Sequence, residues 1–85
     1  MPFSFKIPKP NNMLKTLENV GREAENYGGS VTGDEQNGTI SARGVHASYA
    51  VVGSEIEITI TSKPVFFPDN EIKNVIVDTF NRCGV

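Results

Sequence analysis

The sequence predicts an α+β domain in which two amphipathic helices pack on one face of a curved antiparallel sheet. Three observations predict it. Tight-turn signals stand at Asn37-Gly38, Arg43-Gly44 and Gly53-Ser54; one strand register puts the large aliphatics between Thr39 and Ser62 on one side; and apolar stripes of helical spacing precede and follow that stretch.

Taken in order, Phe3, Phe5 and Ile7 alternate with Ser4 and Lys6, so a short strand from Met1 to Ile7 is expected, stopped by Pro8 and Pro10. Met13, Leu17, Val20, Ala24 and Tyr27 then recur at spacings of four and three. They form the stripe of a first helix, capped by Asn11 or Asn12 and ended by Gly28-Gly29. Gly21 in its middle costs roughly 1 kcal/mol relative to Ala unless close approach to the sheet compensates.

A four-strand meander follows. The Asn37-Gly38 turn would set Thr39 opposite Gln36, Glu35 opposite Ile40, Gly33 opposite Ala42 and Val31 opposite Gly44. Arg43-Gly44 sets Ala42 opposite Val45 and Ile40 opposite Ala47. Gly53-Ser54 sets Val51 opposite Ile56, Tyr49 opposite Ile58 and Ala47 opposite Ile60. Side chains alternate with period two, so a one-residue slip in any of these hairpins would break the apolar row. The other face, with Ser41, His46, Ser48, Glu55, Glu57, Thr59 and Thr61, is wet. After the Pro64–Pro68 link, Ile72, Val75, Ile76, Thr79, Phe80 and Cys83 form the stripe of a second helix, opened by Pro68-Asp69 and terminated by Gly84. The order is strand, helix, meander, helix, with the first strand expected at the sheet edge beside Glu55–Ser62.

At 85 residues the chain is one domain with room for one core. A formal net charge of −2 with acids and bases interspersed gives no field for phosphate backbones, so no nucleic acid is expected as partner. Lys6, Lys9, Lys15 and Lys63 read as solvated side chains. No window reaches the length of a membrane span, no signal-peptide segment is evident, and the single cysteine has no partner for an internal disulfide; a cytoplasmic, reducing location is expected.

The catalytic inventory is thin, so no enzyme, metal or cofactor is expected. His46 is the only histidine, with Ser41 and Thr61 as expected cross-strand neighbours and no carboxylate to orient it. A hydrolase using His46 with Ser41 or Ser48 is the remote alternative. Glu55 and Glu57 share a wet face and stay ionised, while Asp34 and Glu35 lack the further ligands of a calcium loop. Cys83 falls on an apolar stripe, where a thiol acts as a small hydrophobe.

Shape is what remains. The inner face changes from small residues at Gly33, Ala42 and Ala47 to bulky ones at Tyr49, Val51 and Ile56. The helices either settle onto the small residues or leave a gap for an apolar ligand, and close packing is the expected outcome. If a gap remains, its expected apolar lining is Leu17, Tyr49, Ile58, Phe66, Phe67, Ile76 and Phe80. Phe66 and Phe67 are expected to plug the end of the core. The functional expectation is a non-enzymatic binding or interaction protein for an apolar chain or a protein partner. A self-associating protein, as a homodimer through an edge strand or the face around Ala50 and Val52, is the alternative.

Several local features resemble a known family: Tyr27-Gly28-Gly29-Ser30-Val31 after the first helix, Gly38-Thr39-Ile40-Ser41-Ala42 and Gly44-Val45 in the hairpins, the strand from Glu55 to Thr61, and a proline-bounded link into a C-terminal amphipathic helix. In these the chain is similar to the small bacterial polyhydroxyalkanoic acid system proteins. The resemblance implies a reduced helix-grip layout, no catalytic residues, and association with polyester or acyl material in the bacterial cytoplasm.

Overall fold

A computed structural model describes residues 3–85. Strand β1 (Phe3–Pro8) leads into helix α1 (Met13–Glu25). Strands β2 (Ser30–Gly33), β3 (Asn37–Ala42), β4 (Val45–Val52) and β5 (Glu55–Ser62) follow, then helix α2 (Asp69–Cys83). The five strands form one antiparallel sheet in the order β1-β5-β4-β3-β2, so β1 lies at the edge beside β5, as expected. Met1 and Pro2, the first positions of the expected strand, lie outside the described residues.

Two hairpins have the predicted register. At β3–β4 both central residues, Arg43 (φ 54°) and Gly44 (φ 80°), take positive φ, the requirement of a type I′ turn. Ala42 faces Val45 and Ile40 faces Ala47. At β4–β5, Gly53 (φ 63°) begins the turn, and Val51 faces Ile56, Tyr49 faces Ile58 and Ala47 faces Ile60. Tyr49, Ile56, Ile58 and Ile60 are each at most 2% exposed, which makes this row the centre of the core.

The first hairpin differs. Asn37 and Gly38 belong to β3; the reversal is made by residues 34–36, and the pairs are Gly33↔Gly38, Thr32↔Thr39, Val31↔Ile40 and Ser30↔Ser41. Two forces explain the shift. Asp34 Oδ1 accepts hydrogen bonds from the backbone N–H groups of Gln36 (2.9 Å) and Asn37 (3.1 Å), and the Asp34 N–H donates to the Asn37 carbonyl (2.9 Å), closing the loop around one carboxylate. These donors hold the Asp34 carboxyl below its usual range. The observed register also gives Ile40 an apolar partner in Val31, where the expected one would have turned Glu35 onto the dry face.

The glycine pair has a further consequence. A Cβ on Gly38 would lie 2.6 Å from the Tyr49 hydroxyl oxygen, so only glycine leaves space for this ring. That hydroxyl donates to the Asp34 carbonyl at 2.8 Å. On β5, the ladder is irregular between His46 and Ala47: His46 pairs with Ser62, and Thr61, its expected neighbour, becomes the extra residue of a bulge whose hydroxyl donates to the His46 carbonyl (3.1 Å).

Helix α1 begins where Asn12 Oδ1 accepts from the Lys15 N–H (3.0 Å). It buries Met13, Leu17, Val20 and Ala24 as expected, together with Thr16, whose hydroxyl donates to the Asn12 carbonyl and accepts from the Val85 N–H. Tyr27 lies past the helix end and is half exposed instead of continuing the stripe. Helix α2 buries Ile72, Phe80 and Cys83, whereas Val75 is 62% exposed because it sits at the margin of the stripe. In the link, Phe67 packs against the core, but Phe66 is 80% exposed and stacks on Phe67, so one ring plugs the core and not two.

Gly21 meets only the Val31 side chain, at an ordinary 3.9 Å from an added Cβ, so close approach to the sheet does not explain it. Gly21→Ala is therefore expected to stabilise the protein by about 0.5–1 kcal/mol. Thermal unfolding should show a Tm higher by roughly 2–8 °C.

Candidate functional site

Between the two helices and the sheet lies a cleft of about 400 Å³. Its floor is Ile40 and Ala42 of β3 with Val45 and Ala47 of β4. One wall is Val20 and Ala24 of α1, the other is Ile72, Ile76 and Phe80 of α2, and Phe67 closes one end. A cleft remains where close packing is expected, although Val20, Ala24, Ala47, Ile72 and Phe80 in its lining are each at most 6% exposed. Helix α1 approaches β2 and β3, α2 approaches β1, the helices also contact each other, and the lining includes the alanines Ala24, Ala42 and Ala47.

The two helices are also tied to each other by side-chain and backbone hydrogen bonds. Arg82 donates to Asp78 and to Glu23 of α1, each at 2.9 Å, and Asn19 Nδ2 donates to the Cys83 carbonyl at 3.1 Å. The Asn12 N–H donates to the Val85 carbonyl at 2.6 Å. Every buried side-chain nitrogen and oxygen among the described residues has a hydrogen-bond partner, so the cleft interior presents no orphaned polar group.

Of the expected lining, Phe67, Ile76 and Phe80 are in this cleft. Leu17 and Tyr49 instead border a more open trough between α1 and β2, shared with Glu18, Arg22, Glu25 and Asp34. Ile58 is wholly buried under the helices, and Phe66 points outside the cleft. Sequence reasoning singled out Ala42 and Ala47 as a small-residue floor; it missed Ala24, Ile72 and the polar margin.

That margin contains Glu23, Arg43, Glu71, Asp78 and Arg82, with Tyr27 and Val75. Asp78 and Glu23 neutralise Arg82, and their hydrogen bonds raise its pKa further. Arg43 is different. Its guanidinium lies 3.9 Å from the centre of the Tyr27 ring, and the ion pairs among the described residues are made by Lys15, Lys63 and Arg82 instead. Its left-handed backbone costs a non-glycine residue roughly 1–2 kcal/mol, and the ring contact offsets about 0.5–1 kcal/mol of that. The one sequence signal for this residue was an arginine in a turn position that prefers Asn, Asp or Gly.

The catalytic candidates lie elsewhere. His46 is exposed on the face away from the helices, paired with Ser41 and Ser62. Among the described residues no group of three His, Cys, Asp or Glu side chains is placed to hold a metal ion, and no helix is long and apolar enough to cross a membrane. Among the lysines, Lys15 pairs with Glu18 and Lys63 with Asp69, while Lys6 stands across from Glu57.

Cys83 is 7% exposed. Burial first, and then the Glu23 carboxylate, push its thiol above the usual 9.0, against the opposing pull of Arg82 and Arg22. The neutral thiol therefore favours the folded state below pH 9.0, and this contribution is lost as pH rises through the higher folded-state value. The Tm advantage of the parent over Cys83→Ala is expected to be smaller at pH 10 than at pH 7. An unchanged difference would show that the thiol does not titrate this way.

Compared with known proteins, the chain matches no family model, no curated protein and no solved structure.

Proposed function

We propose that this is a non-enzymatic binding protein that takes an apolar chain into the cleft between its helices and its sheet. The observation that carries the reading is the open, alanine-floored space of about 400 Å³ in a chain of 85 residues. That volume falls within the usual range of small-molecule sites, which are mostly apolar concavities. The similarity to polyhydroxyalkanoic acid system proteins supports acyl or polyester material as the occupant. Each buried methylene contributes about 0.8 kcal/mol. A chain burying about eight of them gains about 6 kcal/mol, from which the entropy of association is subtracted, so weak binding is expected.

A second reading, self-association, rests on the exposure of Val65 (97%) and Phe66 (80%) and on the two free sheet edges, β1 and β2. Sedimentation at high protein concentration decides it, since a monomer mass throughout removes that reading.

The cleft reading is tested by titrating 15N-labelled protein with octanol. Amide shifts are expected at Ala24, Ala47 and Ile76, and Ala42→Leu, which fills the floor, is expected to abolish them while leaving the rest of the spectrum intact. Silence at those amides up to octanol saturation would refute the reading.

A further inference from the structure

We infer that Arg43 receives an anionic head group, so that the occupant of the cleft is an alkyl chain ending in a carboxylate. This rests on the binding reading above and adds its polarity. Three observations converge on this residue.

First, the cleft margin carries two cations, and only one of them is already engaged by acids. Arg82 lies between Asp78 and Glu23, at 2.9 Å from each. Arg43 makes none of the ion pairs found among the described residues. Second, the guanidinium is held rather than free: the Tyr27 ring lies 3.9 Å beneath it. The ring contact holds the group at the cleft margin, and a guanidinium can grip a carboxylate with two parallel hydrogen bonds through its N–H edge. Third, Arg43 sits in a left-handed turn position (φ 54°), where a glycine or asparagine would serve the backbone better. A locally unfavourable residue at the edge of a cavity is the pattern expected when the side chain has a task beyond the turn.

The neighbourhood suits the two halves of such a ligand. Ala42 and Val45 flank the Arg43-Gly44 turn and Ile40 and Ala47 lie beyond them along the hairpin, so a head group at the guanidinium has an apolar floor for its tail beside it. Glu71 is the margin's remaining acid outside the Arg82 network.

The experiment compares decanoate, below its micelle concentration, with decanol by NMR titration of the full chain. The parent protein is expected to bind decanoate about tenfold more tightly than decanol, the worth of a charge-assisted hydrogen-bond pair. Arg43→Gln should bring the two affinities together by weakening decanoate alone, and Arg43→Lys should retain part of the preference; raising the salt concentration should reduce it. Tyr27→Leu, which leaves the turn untouched, should also lower the preference and serves if the Arg43 variants fold poorly. Equal affinities in the parent, or a preference that survives Arg43→Gln, would overturn the head-group assignment while leaving the cleft reading standing. Failure of both ligands to shift any cleft amide would overturn the two together.

Discussion

The structure depends on one cross-strand row, Gly33-Gly38-Tyr49-Ile58-Phe5, which runs across all five strands on the dry face. Tyr49 occupies the space that two Cβ atoms would fill, and its hydroxyl reaches the Asp34 carbonyl at the hairpin end. Its oxygen is thus satisfied although the ring is 2% exposed. The two glycines and the tyrosine specify one another, and with them the pairing of β2 to β3 and β3 to β4. The isoleucines of β5 then fall under the helices without further instruction.

The same logic explains why the cleft opens where it does. Small residues occur at two places on the inner face, and those beside Tyr49 leave room for its ring. Ala42 and Ala47 have only short side chains to offer, and Ala24 of α1 joins them in the cleft lining. Helices α1 and α2 are tied to each other through Arg82 and through the Cys83 carbonyl, which fixes how they sit against each other. A small chain thereby keeps an apolar space that close packing would otherwise remove.

Much of this architecture is legible in the residues, and the exceptions have physical causes. The Arg43-Gly44 and Gly53-Ser54 hairpins read correctly because turn chemistry and burial agree there. Asn37-Gly38 is the stronger turn signal by composition, yet it yields, since a hairpin centred on it would have set Glu35 against Ile40. A bulge such as that at Thr61 leaves no mark in a two-residue alternation. The cleft was half legible: the small floor at Ala42 and Ala47 is plain in the strand pattern, whereas Ala24 reads only as another stripe residue. Leu17, Tyr49 and Ile58 look like lining by face alone; which of them the helices cover depends on where α1 and α2 diverge, a tertiary quantity that spacing does not carry. For Arg43, only its mismatch with the turn was visible.

A NOESY spectrum of the folded protein tests the central claim most directly. The Tyr49 ring protons are expected to show cross-peaks to the α-protons of both Gly33 and Gly38, accompanied by Thr32–Thr39 and Val31–Ile40 contacts across β2 and β3. Cross-peaks joining Glu35 to Ile40 and Gly33 to Ala42, with none from Tyr49 to the glycines, would contradict it.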